Sequence, residues 1–334
     1  MKICIIGDFS GNHDEGFKNT AVQLAGQLSG HHQVLRLDVE GIASPRFWHG
    51  IRQFQPEIIH YITAPTALSF LVLQCAARFC RNGTKLVASS LSPLCYAELE
   101  NPVFRACMSR TRPDIVLTHS NIADAALREI GCRTHLLPNG VDMGRFRPVS
   151  DRERQRLRAR CGLDDGRFIL LHVGHVNRHR GLEVFLEIQA RIPDCHAVIV
   201  GSTHFATDHH LAAALRKQGC TVWNGYCDHI EDIFQMADCY LFPQAQTLFL
   251  PLTVLEAMAC NLPVVSYRHE GLSTFFEEGG GLTLCDADDD YLEHIRRVMQ
   301  GKVVPRTREK AAACSWERIS KELCGIYAAI LEEG

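Results

Sequence analysis

The chain has 334 residues, of which 46% are hydrophobic and 22% are charged, and its formal net charge is −3. This is the composition of an ordinary globular protein, and the near-neutral charge gives no support to a nucleic-acid partner. The sequence has no run of about 18 apolar residues to span a membrane. Its start, MKICIIGDFSGN, lacks the long apolar stretch of a signal peptide.

The 15 cysteines and 17 histidines form no recognisable metal or disulfide pattern. The sequence contains no Cys-x-x-Cys and no His-Glu-x-x-His, and many cysteines lie inside apolar runs, where a thiol behaves as a small hydrophobe. We therefore expect reduced thiols, no metal site and a cytoplasmic location.

Short β-rich runs alternate with helical patterns in the first half of the chain. A helical pattern over 15–30 follows the first run and ends at Gly30, which suits a C-terminal cap. The runs predicted as strands are 2–8, 33–39, 57–63, 85–91, 114–120 and 135–139. Such alternation predicts a parallel sheet with helices on both faces.

The polar segment 148–168 interrupts this alternation and suggests a linker with a short basic helix. The alternation then restarts, and the chain ends in a helical pattern over 315–333. The second set of predicted strands is 168–174, 196–202, 221–226, 239–244 and 263–267. The length suits two domains, so the sequence predicts an α/β fold of two doubly wound, Rossmann-like domains. Ligands of open α/β sheets bind beyond the carboxyl ends of the strands, so we expect the site in a cleft between the domains.

A cationic loop follows the strand at 168–174. The strand ends at Gly174, and His175, Arg178 and Arg180 precede a helix predicted to begin near Gly181. Glycine allows close approach of the backbone, arginine offers forked donors, and a helix N-terminus favours anions. The loop therefore suits a diphosphate, although a solvated basic loop would have the same composition.

The segment LFLPLTVLEAMAC, residues 248–260, has one carboxylate, Glu256, in an apolar run. A buried carboxylate is unfavourable unless it has a partner. Thr253 could be the N-cap of a helix with Glu256 at position N3, which would form a capping box. Alternatively, Glu256 could accept hydrogen bonds from ligand hydroxyls such as a ribose diol. The segment alone leaves both interpretations open.

Five segments, in order, resemble the GT-B glycosyltransferases, and specifically the retaining family four known as glycosyl transferases group 1. They are LLPNGVDMGRFRP, VGHVNRHRGLEVFLE, DIFQMADCYLFPQ, LTVLEAMACNLPVVSY and SWERISKELCGIY. The resemblance implies an N-terminal acceptor domain (1–150) and a C-terminal nucleotide-sugar donor domain (151–314). It also implies that the last helix, from about 315 to 334, packs back on the first domain.

The resemblance implies catalytic roles for Arg180 and His175, which stand where the family has a lysine and an arginine that bind the donor diphosphate. Gly174 and Arg178 belong to the same loop. The backbone amides around Leu252, Thr253 and Val254 would also face the phosphates.

Other positions match the nucleotide-binding part of the family pattern. Glu256 stands at the second glutamate of the family's E-x7-E motif, which holds the ribose diol. Tyr226, Cys227 and Ile230 lie in the loop that frames the base. Gly11 to Gly16 stands where a glycine loop of the first domain approaches the donor, although Gly16 alone is a weak signal.

Two departures from the family pattern affect the sugar. Leu248 stands where the family has the first glutamate of E-x7-E, and Leu91 or its serine neighbours stand where it has an active-site histidine. The resemblance implies transfer of a sugar from a nucleotide-diphosphate sugar, with retention, without a metal or other cofactor. The departures imply an atypical donor sugar. A catalytically degenerate nucleotide-sugar-binding partner subunit, and a GT-B epimerase or phosphorylase, stay open as alternatives.

The sequence does not define the acceptor, which could be a sugar, a lipid-linked sugar or a small molecule. It also does not define the oligomeric state, and a homodimer is possible. Residues 96–113 mix Phe104 and Met108 with three arginines. This pattern is typical of an ordinary helix face, and the alternative is peripheral contact with the inner face of a membrane.

Overall fold

Two six-stranded parallel sheets organise the chain in the computed structural model. The structure describes residues 1–11, 16–80, 83–91, 98–163, 166–201, 207–245, 247–286 and 291–333. The chain divides into two compact units. The first unit comprises Met1–Asn139, Leu248–Leu250 and Trp316–Gly334, and the second comprises Gly140–Thr247 and Pro251–Ser315.

The sheet of the first unit has the strand order β2-β1-β3-β4-β5-β6, and all of its pairs are parallel. Its strands are β1 (Lys2–Gly7), β2 (Gln33–Asp38), β3 (Ile58–Thr63), β4 (Lys85–Ser90), β5 (Ile115–Thr118) and β6 (Thr134–Leu136). Its helices are α1 (Gly16–Ser29), α2 (Pro45–Phe54), α3 (Ala67–Ala77), α4 (Pro102–Arg110), α5 (Asn121–Glu129) and, at the end of the chain, α14 (Trp316–Glu332).

The first unit's sheet is buried on both faces, as a parallel sheet requires. Ile3, Ile5 and Ile6 of β1 are fully buried, which explains why the strand is a continuous apolar run. On this sheet His60 is also fully buried, and its ring nitrogens lie 2.6 Å from Tyr327 Oη and 2.7 Å from Ser89 Oγ. Burial lowers the pKa of His60 to about 3, so the ring is neutral. The network therefore fixes α14 on the sheet of the first unit.

The sheet of the second unit has the order β12-β11-β10-β7-β8-β9, again all parallel. Its strands are β7 (Phe168–Val173), β8 (Cys195–Gly201), β9 (Thr221–Asn224), β10 (Cys239–Phe242), β11 (Val264–Tyr267) and β12 (Leu282–Cys285). Its helices are α6 (Asp151–Arg160), α7 (Val184–Arg191), α8 (His209–Lys217), α9 (Ile230–Met236), α10 (Leu252–Ala259), α11 (Glu270–Ser273), α12 (Tyr291–Met299) and α13 (Thr307–Ala311). The prediction of two doubly wound α/β units is confirmed.

The segment predicted as a linker belongs to the second unit. Helix α6 begins at the N-cap Ser150, whose hydroxyl accepts a hydrogen bond from the Glu153 amide. Arg158 anchors the helix, because its guanidinium lies 2.7 Å from Asp238 Oδ2 and donates to the Met236 carbonyl. The basic composition of α6 therefore serves packing as well as solvation, which the sequence pattern did not reveal.

Among the described residues, no helix has the length and apolar character needed to cross a membrane.

Candidate functional site

The strand order of the second unit defines where a ligand is expected. From β7 the chain moves to β8 and β9 on one side and then returns to β10, β11 and β12 on the other. The carboxyl ends of β7 and β10 are therefore the switch point of this sheet, where open α/β sheets bind ligands. Tyr240 of β10 links the elements at this point, since its hydroxyl lies 3.2 Å from the Val173 carbonyl and 2.8 Å from Thr253 Oγ1.

The loop after β7 differs from its prediction. Residues Arg178–Arg180 form a 3₁₀ turn, and α7 begins at Val184 instead of near Gly181. The reason is Gly181, whose φ of 68° ends the turn in the left-handed conformation. A Cβ at this position would lie 2.6 Å from the Pro243 carbonyl oxygen, so the loop packs directly on the backbone after β10. The arginines are thus placed by a glycine contact, and a helix N-terminus does not start beside them.

Arg180 is the arginine of this loop that turns toward the switch point. It is half-buried, and its Nη1 donates to Gln244 Oε1 at 2.7 Å. Its charge also contributes to lowering the pKa of His172 on β7, after the larger effect of burial. Arg178, in contrast, has a side chain that is 73% exposed and pairs with Asp208 at 3.3 Å.

Gly174 and His175 lie at the end of β7 under this loop. A Cβ on Gly174 would lie 3.0 Å from His172 Nε2, so the glycine admits a buried imidazole beneath the loop. His175 is half-buried. Both residues lie at the predicted place, and their contact with phosphate stays a prediction.

The capping-box interpretation of Glu256 is wrong. Pro251 is the N-cap of α10 and makes no side-chain cap, while the Thr253 hydroxyl is engaged by Tyr240. The Val254 amide donates to the Pro251 carbonyl at 3.2 Å, so it is not available to a ligand. The amides of Leu252 and Thr253 have no acceptor among the described residues. Two amides at this helix start are therefore directed outward, as an anion site needs.

Glu256 lies in the second turn of α10 and is only 8% exposed. Burial raises the pKa of its carboxyl to about 7; the charge of Arg145 opposes the rise, and that of Glu231 adds to it. Arg145 is itself paired with Glu231 at 2.7 Å. No described residue donates a hydrogen bond to the Glu256 carboxylate. Glu256 is therefore a buried carboxylate that receives no hydrogen bond from the part of the chain that the structure describes.

The positions predicted to frame the base lie in the second unit, and the two predicted glycines of the donor loop lie in the first. Tyr226 is 43% exposed, Cys227 is half-buried, and Ile230 is the first residue of α9, all in the second unit. Gly11, with a φ of 61°, and Gly16, the first residue of α1, are exposed and belong to the first unit. The residues between these two glycines lie outside the described part of the chain.

Two side chains of this region were not predicted as site residues. Gln244 follows β10 and accepts a hydrogen bond from Arg180, and His269 follows β11 with its ring 5.5 Å from that of Phe242. A sequence signal existed for both, because Gln244 is the polar residue that ends the strand predicted over 239–244 and His269 lies two positions beyond the strand predicted over 263–267. The parallel sheet brings such positions to one edge.

A family model described as "Glycosyl transferases group 1" matches residues 153–315. These residues form a glycosyl transferases group 1 domain. The group 1 domain contains the switch point, the Arg178–Arg180 turn, α10 and Glu256. Gly11 and Gly16 precede it.

Curated relatives of the chain are named as glycosyltransferases. The D-inositol 3-phosphate glycosyltransferase of Geodermatophilus obscurus is 30% identical over 224 residues, which cover 60% of this chain and 48% of that protein. The chain spans about half the length of the curated relatives it matches.

The sucrose-phosphate synthase of Thermosynechococcus elongatus superposes with a TM-score of 0.78 at 19% identity, covering 100% of both chains. Anabaena HepE, solved in complex with UDP and glucose, has a TM-score of 0.76 at 17% identity and covers 98% of this chain and 100% of its own. At these identities the superpositions show the fold, and the predicted GT-B fold with its two Rossmann-like units is confirmed.

Proposed function

We propose that the chain is a glycosyltransferase that moves a sugar from a nucleotide-diphosphate sugar to an acceptor, with retention of anomeric configuration and without a metal. The observation that supports this most strongly is at α10. Its first two amides have no acceptor among the described residues, and one turn later Glu256 is buried without a donor. Such an arrangement suits a ligand that has both an anion and a diol.

The proposed mechanism is mainly stabilisation of a leaving group. The bond between the anomeric carbon and the diphosphate oxygen breaks as the acceptor oxygen bonds to the same face of that carbon. The acceptor's proton passes to the leaving diphosphate. Arg180 and the α10 amides offset the charge that develops on the diphosphate, and His175 lies in the same loop as Arg180. Glu256 holds the ribose, and Tyr226, Cys227 and Ile230 frame the base.

A uridine nucleotide is the first candidate donor. HepE, which has the same fold, was solved with UDP and glucose. The donor sugar is proposed to be atypical, because Leu248 replaces a glutamate of the family pattern. We propose a cytoplasmic enzyme. Its α4 exposes 74% of Val103 and 44% of Phe104, which supports peripheral membrane contact during use of a lipid-linked acceptor.

A non-catalytic role is the second candidate. Leu248 and Leu91 remove two polar groups of the family pattern that would contact the sugar and the reacting atoms, while the nucleotide-binding positions remain. A protein of this kind would bind the nucleotide-sugar as a partner subunit and would not turn it over.

The phosphate assignment is tested by calorimetric titration of UDP, GDP, ADP and dTDP into the wild type and Arg180→Ala. Hydrogen bonds to a charged group contribute about 1.5–3 kcal/mol, so we expect the Kd of the preferred nucleotide to rise roughly 10- to 100-fold. Arg191→Ala is the matched control. Arg191 is a 60% exposed arginine that pairs with Glu187 on α7, and its loss should leave the Kd unchanged. Equal affinities of Arg180→Ala and wild type would remove Arg180 from the site.

A further inference from the structure

A second cavity of the second unit, with a volume of about 300 Å³, lies away from the switch point. Its walls are the glycine turn before β12, the second half of α12 and the segment 302–304 that follows this helix. The turn stands at the amino end of β12, whereas the switch point lies at the carboxyl ends of strands in the same parallel sheet. Ligand pockets have volumes of about 300–1,000 Å³, so this cavity suits a small ligand that is not the proposed nucleotide.

The turn over 279–282 places two backbone donors in the wall of this cavity. The Gly279 amide donates to the Leu282 carbonyl at 2.8 Å, and the Leu282 amide donates back at 3.2 Å. The central residues Gly280 and Gly281 have φ values of 60° and 90°, which are those of a type I′ turn. Their two amides have no acceptor among the described residues. Successive amides in a turn are suited to bind an anion.

Two cationic side chains line the same cavity. Arg297 on α12 and Lys302 just beyond this helix are both exposed, and neither is paired with a carboxylate in the part of the chain that the structure describes. Glu278 is the carboxylate of the described lining, and it is already paired with Arg268 at 3.3 Å. Because the whole chain has a net charge of −3, this positive charge is a local feature of the cavity.

We propose that this cavity binds the phosphate group of a small phosphorylated compound, at a site separate from that of the nucleotide. The donors belong to three segments, which are the turn, α12 and the residues after α12, so they reach a bound group from different sides. A phosphate group offers three strong acceptor oxygens around one centre, whereas a carboxylate offers two in one plane. Arg297 supplies forked donors and Lys302 a compact charge, and both are typical of phosphate sites.

The rest of the ligand meets a lining that is mostly polar. His294 and Thr283 line the cavity beside the cations, and the apolar contacts are limited to Leu282, Val303 and Val304. Such a lining suits a hydroxylated compound, such as a sugar phosphate, better than the phosphate of a lipid.

Calorimetric titration of inorganic phosphate and ribose 5-phosphate at constant ionic strength tests the site. Ribose and acetate are the probes without phosphate. The double variant Arg297→Gln/Lys302→Gln removes both cations. Arg296→Gln is the matched control, because Arg296 is the neighbouring arginine of α12 and is not part of the cavity lining. Arg180→Ala identifies phosphate that binds at the proposed nucleotide site instead.

We expect the wild type to show a phosphate-binding event that Arg296→Gln and Arg180→Ala keep. Because hydrogen bonds to a charged group are lost, the double variant should bind both phosphate probes at least about 10-fold more weakly, with UDP affinity unchanged. The inference is overturned if the wild type binds neither probe, if the event is lost in Arg180→Ala or kept in the double variant, or if acetate binds equally well. A wild type that binds phosphate as expected but binds no nucleotide contradicts the proposed function and supports the phosphate site.

Discussion

At the scale of single residues, Glu256 is the clearest sign that this protein binds a ligand. It is only 8% exposed, and no described residue donates a hydrogen bond to its carboxylate. The sequence left a capping box as an alternative, and the structure removes it because the helix starts at Leu252, with Pro251 as N-cap. What remains is a buried carboxylate, for which we propose a pair of ligand hydroxyls as the partner.

Ribose recognition by Glu256 should depend on pH. With a pKa of about 7, the carboxyl is about 10% ionised at pH 6 and about 90% at pH 8. The ionised form accepts two hydroxyl donors, so we expect the affinity for UDP relative to 2′-deoxy-UDP to increase over this range. Comparing the two nucleotides by calorimetry cancels the titration of their phosphates. Glu256→Gln should show no such increase, and a wild type whose UDP preference is constant from pH 6 to 8 would contradict the ribose role.

The same pKa also predicts the sign of a stability change. Because the folded pKa is raised above the ordinary 4.5, the folded state holds a proton that the unfolded chain releases, and stability is lost as pH rises from about 4.5 to about 7. Glu256→Gln should therefore be more stable than the wild type at pH 8, by up to about 3 kcal/mol. Urea unfolding at pH 5 and pH 8 measures the difference.

At the scale of elements, short non-helical segments decide the site. The alternation of strands and helices was predictable because parallel strands are apolar runs and helices have a period of 3.6 residues. The 3₁₀ turn at Arg178–Arg180 was not predictable. The helical pattern of 181–192 extends back to Gly181, and only the tertiary contact of Gly181 with Pro243 shows that the helix starts later. Strand β12 was also missed, since it has only four residues and they directly follow three glycines.

Gly181→Ala tests this loop. The substitution adds a Cβ 2.6 Å from the Pro243 carbonyl at a φ of 68°, so the turn must shift. Gly162 is the matched control, because its φ of 67° imposes the same backbone strain with nothing within 4 Å of the new Cβ. Backbone strain of this kind amounts to about 1–3 kcal/mol. We expect Gly162→Ala to lose that much stability with normal UDP affinity, and Gly181→Ala to lose more and to bind UDP at least about 10-fold more weakly. If the two variants had the same stability and the same UDP affinity, the contact of Gly181 with Pro243 would not be what positions Arg180.

At the scale of the whole molecule, the chain contains two six-stranded parallel sheets that differ in strand order. Helix α14 returns to the first sheet, where Tyr327 contacts His60. This contact joins residues 267 positions apart, so the sequence alone could suggest it only through resemblance. The environment of Glu256 is another such case, since Arg145 and Glu231 act on it from distant parts of the chain.

The central claim is that this two-unit molecule transfers a sugar. The most direct test is to incubate the wild-type chain with UDP-, GDP-, ADP- and dTDP-sugars and a panel of sugar, lipid-linked and small-molecule acceptors, and to follow nucleotide release and product mass. We predict nucleotide release from at least one donor, with the sugar found on an acceptor and its anomeric configuration retained by NMR. A protein that binds the nucleotide with normal affinity but releases none from any donor, to acceptor or to water, would contradict the claim and would identify a nucleotide-sugar-binding subunit.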